Sequence, residues 1–62
     1  MFRLDALNQE GKVDLEFFAS EEYKEESANL VDYLFQEGFD QVEEKFIIDF
    51  QGRTWEITPI KN

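Results

Sequence analysis

The sequence predicts an α+β fold of order β-β-α-β-β, a four-stranded antiparallel sheet with one helix packed on one face. Three observations predict it. Two pairs of segments alternate apolar and polar residues, one pair near each end of the chain, and each pair is joined by a glycine-containing turn. Between the pairs lies one stretch with apolar residues at helical spacing. That stretch is bracketed by Ser20 and Gly38, residues suited to starting and ending a helix.

The first predicted strand covers about residues 2–7 and the second about 12–18. Leu7-Asn8-Gln9-Glu10-Gly11-Lys12 forms the connection, with Gly11 free to take a positive φ. Pairing Phe2 with Phe17 also pairs Leu4 with Leu15 and Ala6 with Val13 on one face, and on the other sets Arg3 opposite Glu16, a favourable pair, and Asp5 opposite Asp14, an unfavourable one. The helix follows over about 21–37. At 100° per residue, Tyr23, Ser27, Leu30, Val31 and Leu34 share one side, while Glu21, Glu25, Asp32 and Gln36 occupy the opposite side. Glu22, Asn29 and Tyr33 flank the polar side. The third and fourth predicted strands, about 45–50 and 53–58, flank the dipeptide Gln51-Gly52. A two-residue loop then pairs Phe50 with Arg53, Ile48 with Trp55 and Phe46 with Ile57 on one face. Pro59 lacks an N–H for the ladder and marks the end of the last strand. The favoured strand order is 2-1-3-4, in which every neighbour is antiparallel, and 1-2-4-3 meets the same condition.

Sixty-two residues make one domain, 1–62, with little surface to bury. With no Cys and no His, the chain has neither a disulfide nor a thiolate or imidazole metal site. Stability must come from packing, for which seven Phe, two Tyr and one Trp are suited. No cofactor is expected. The glycines are isolated and build no phosphate cradle, and Asp40-Gln41-Val42-Glu43-Glu44 lacks the ligand spacing of a calcium loop. Catalysis is not expected either, since no serine or threonine has a visible base and carboxylates alone would need a cleft. The start of the chain carries no leader pattern, and no apolar run approaches the roughly 20 residues that span a bilayer. A cytoplasmic protein that binds no membrane is the expectation.

Charge is the distinctive feature. The net charge is −9, but residues 20–44 hold nine acids and one base, a net −8, and the other 37 residues six acids and five bases, a net −1. Direct binding to nucleic acid or anionic lipid is therefore disfavoured, because both require clustered Lys or Arg. Glu21 and Glu22 complement the positive end of the helix dipole. No such local rule asks for Glu25, Asp32, Glu37, Asp40, Glu43 and Glu44. Together with Tyr33 as an aromatic anchor, these acids form a candidate surface for a basic protein partner. A second candidate is the face of the sheet away from the helix, where Leu7, Phe18 and Ile47 would be exposed among polar residues. That face, or an edge strand, offers a route to a homodimer.

Overall fold

The computed structural model describes residues 2–39 and 43–60. In chain order these form β1 (Phe2–Ala6), α1 (Leu15–Phe18), α2 (Glu21–Gln36), β2 (Phe46–Phe50) and β3 (Arg53–Pro59). The fold is α+β, but the sheet has three strands in the order β1-β3-β2, both neighbours antiparallel. The four-stranded sheet is thus corrected, and so are both proposed strand orders.

The segment 12–18 is where the prediction fails. Asp14 has an extended backbone, and its carboxylate accepts the Phe17 N–H at 3.0 Å, which starts the single turn of α1. An aspartate is poor in a strand and strong at a helix start, so the cap outcompetes the ladder. What remains of the hairpin is a bridge between Leu7 and Val13, one residue out of the predicted register. A slip of one exchanges the two faces of a strand. Accordingly Val13 is exposed, and on the helical turn that follows Leu15 is 75% exposed while Phe17 stays in the core at 8%. With no second strand beside it, β1 pairs with the C-terminal strand, from Phe2 opposite Pro59 to Ala6 opposite Trp55. β3 becomes the central strand, and Trp55 and Ile57 are fully buried on it.

The other elements form for the reasons their residues suggest. Ser20 caps α2 by accepting the Tyr23 N–H at 3.3 Å. Gly38 follows the last turn with φ 80° and donates to the Phe35 carbonyl at 3.2 Å, as a C′ glycine does. Leu30 and Leu34 supply the fully buried face of α2. The β2–β3 hairpin has the predicted register, Phe50 opposite Arg53, Ile48 opposite Trp55 and Phe46 opposite Ile57. Gln51 and Gly52 both have positive φ, 52° and 80°, which makes the turn type I′. The core of Leu4, Ala6, Phe17, Leu30, Leu34, Trp55 and Ile57 therefore lies between α2 and the middle of the sheet.

Candidate acidic binding surface

Because Leu30 and Leu34 fix which side of α2 faces the sheet, the opposite side is set as well. Glu21, Glu22, Glu25 and Asp32 are exposed along it, and Glu37, Glu43 and Glu44 extend the exposed acids past its end. Asp40 lies outside the described residues. Among the described residues, the three ion pairs are Arg3 with Asp5, Lys12 with Glu10, and Arg53 with Glu26. Both arginines are thus committed to carboxylates that are not on the outer helix face. Glu21, Glu22, Glu25, Asp32, Glu37, Glu43 and Glu44 pair with no described cation.

Glu26 marks the inner margin of this surface. Arg53 donates to it at 3.1 Å, and the guanidinium carbon lies 3.5 Å above the centre of the Phe17 ring. One arginine of β3 thereby joins α1 and α2, by stacking and by a charge-assisted bond. Sequence reasoning missed this pair, although it carried the signal. Arg53 sits on the same face of its strand as Trp55 and Ile57, and a cation there requires an acid from the covering helix. Beside the pair lies an open hollow of about 380 Å³, lined by Glu22, Glu25, Glu26, Asn29, Gln51, Gly52 and Arg53. Its carboxylates and amide oxygens are hydrogen-bond acceptors, suited to a guanidinium or ammonium group.

Tyr33 is half-exposed, with its ring 5.2 Å from that of Phe50, so packing fixes its direction. The three residues proposed for self-association do not share a face. Leu7 is buried, Phe18 lies on α1 with its ring 4.7 Å from that of Tyr23, and Ile47 is 59% exposed on β2. Asp5 has a side chain only 9% exposed and is held by Arg3 at 3.0 Å. Nearby, the Tyr23 hydroxyl donates to the Leu4 carbonyl at 3.0 Å. Its pKa is raised above the ordinary tyrosine value by burial, and further by the negative charge of Asp5.

Among the described residues, no group of three or more His, Cys, Asp or Glu is arranged to hold a metal ion, and no helix is long and apolar enough to cross a membrane. Compared with known protein families, with curated proteins and with solved structures, the chain matches none.

Proposed function

We propose that this is a small, non-enzymatic, cytoplasmic binding protein that presents the outer face of α2 and the residues after it to a basic protein partner. The observation that carries the reading is the uncompensated charge. The fold's arginines are spent elsewhere, so the carboxylates of Glu21, Glu22, Glu25, Asp32, Glu37, Glu43 and Glu44 have no described counter-ion. Such a face raises self-repulsion within the chain and attracts a positive surface. The hollow between α2 and the Gln51-Gly52 turn would take a Lys or Arg side chain of the partner, and Tyr33 would supply an aromatic contact at the rim. A nucleic-acid-binding protein is the partner class that best suits the charge, since its own groove is built for a row of anions. Lack of cysteine suits a reducing compartment.

The test is affinity capture with tagged protein, followed by identification of what is held. Basic proteins should be recovered and should elute at moderate salt, and Glu25→Lys with Asp32→Lys should abolish the capture. Binding that ignores both salt and the double reversal would sink the proposal.

A further inference from the structure

The two edges of the sheet are finished differently. In β1, Leu7 N–H donates to the Thr54 carbonyl, so the odd-numbered residues bond to β3 and the carbonyls of Leu4 and Ala6 point outward. Two of the outward carbonyls are occupied, Ala6 by the Asp14 N–H at 2.9 Å and Leu4 by the Tyr23 hydroxyl. That edge is partly capped. In β2 the type I′ turn makes Phe50 and Arg53 the closing hydrogen-bonded pair, so Phe46, Ile48 and Phe50 bond to β3. The backbone groups of Ile47 and Asp49, and of Lys45 when the register is continued by one residue, point away from the sheet. Among the described residues nothing bonds to them. One face beside this open edge carries the half-buried apolar Phe46, Ile48 and Phe50, and the other carries the exposed Ile47 between Lys45 and Asp49.

We infer that the occupant of this edge is the β2 strand of a second copy, paired antiparallel across a two-fold axis at Ile47. The residues of the edge select this partner and this register. With Ile47 opposite its symmetry mate, Lys45 faces Asp49 of the other copy and Asp49 faces its Lys45, while Phe46 faces Ile48. From Lys45 to Asp49 every facing pair is either apolar with apolar or cation with anion. Glu44 then falls opposite Phe50, and Glu43 opposite Gln51, so no acid of the segment meets an acid. Moving the axis to Ile48 would instead set Ile47 against Asp49 and leave Lys45 opposite Gln51. The chosen register forms about six backbone hydrogen bonds, two for each of three facing pairs. It joins the two sheets into one and leaves the outer face of α2 free in both copies. The inference does not depend on the acidic-face reading, and either can fail alone.

Sedimentation equilibrium from about 10 µM to 1 mM tests it, because a contact this small belongs in the weak range of interfaces. The average mass should rise from 7.4 kDa towards twice that value, and Ile47→Lys should hold it at 7.4 kDa throughout. A wild-type monomer at 1 mM, or a dimer indifferent to Ile47→Lys, overturns the inference. The substitution sits on an exposed side chain, and circular dichroism will show whether the monomer stays folded. The register has its own test. Lys45→Asp and Asp49→Lys should each weaken the dimer severalfold, and the two together should restore it; loss without restoration overturns the register. Since the chain has no cysteine, Ile47→Cys supplies a single thiol at the axis. Facing Cα atoms of a hydrogen-bonded pair lie about 5.5 Å apart, within disulfide range. Oxidation should cross-link Ile47→Cys far faster than the control Leu15→Cys, and equal rates would again overturn the inference.

Discussion

The Tyr23 hydroxyl satisfies the Leu4 carbonyl on the outer edge of β1 while its ring packs 5.9 Å from that of Trp55. Tyr23→Phe keeps the ring and leaves the Leu4 carbonyl without its donor, so a loss of about 1 kcal/mol is expected in urea unfolding at neutral pH. The same group gives a pH signature. Burial, and then Asp5, raise its folded pKa, so the folded state holds the phenolic proton more tightly than the unfolded chain. The resulting stability is intact below the unfolded value of about 10 and falls as pH rises through the folded value. Tyr23→Phe should flatten that alkaline decline, and an unchanged slope would exclude Tyr23 as its source. Gln51 offers a gain instead. It holds φ 52° in a turn that favours Asn-Gly, so Gln51→Asn should stabilise by about 0.5–1 kcal/mol, or several degrees in melting temperature. At this scale the sequence was only half legible. It placed Tyr23 on the buried stripe of the helix, but the hydroxyl's acceptor is 19 residues away and no local pattern points to it.

At the scale of elements, legibility follows the range of the forces. α2 and the β2–β3 hairpin are specified by neighbours in sequence, through Ser20, the apolar stripe, Gly38 and Gln51-Gly52, and these were readable. The pairing of Phe2 with Pro59 joins the ends of the chain, and no local signal selects it over the alternatives. Segment 12–18 reads as a strand because Val13, Leu15 and Phe17 alternate with polar residues at period two, whereas the helical turn exposes Leu15 and buries Phe17. Asp14 decides between the two. Asp14→Ala removes the cap of α1 and should cost about 1 kcal/mol in urea midpoint experiments. Were 12–18 a strand, the same change would be neutral or favourable, since alanine loses no ladder bond there. Arg53→Lys tests the link between elements. Lysine keeps the charge near Glu26 but loses the flat stacking on Phe17, and a loss of about 1 kcal/mol is expected. Arg53 was visible on the core face of its strand, so this link was legible in principle, although its partner Glu26 was not singled out.

For the whole molecule, the charge distribution could be read from the sequence but its compensation could not. The segregation of a net −8 into residues 20–44 is a matter of counting, whereas the engagement of Arg3 with Asp5 and Arg53 with Glu26 emerges only in three dimensions. With those cations engaged, the outer helix face repels itself, and repulsion between exposed charges is screened over about 10 Å at 0.1 M salt. The melting temperature should therefore rise by a few degrees between 10 mM and 500 mM sodium chloride. Replacing Glu25 and Asp32 by lysine moves the net charge from −9 to −5, since each change adds two. This variant should melt higher than the wild type at low salt and respond less to added salt. It is also the variant expected to lose the basic partner. Greater stability with lost capture would show that the acids are kept for binding against the interest of the fold. Lower stability of the reversed chain would instead mean that the acids support the fold itself, through contacts beyond the Arg53–Glu26 pair, and the electrostatic argument for a partner would fall with that result.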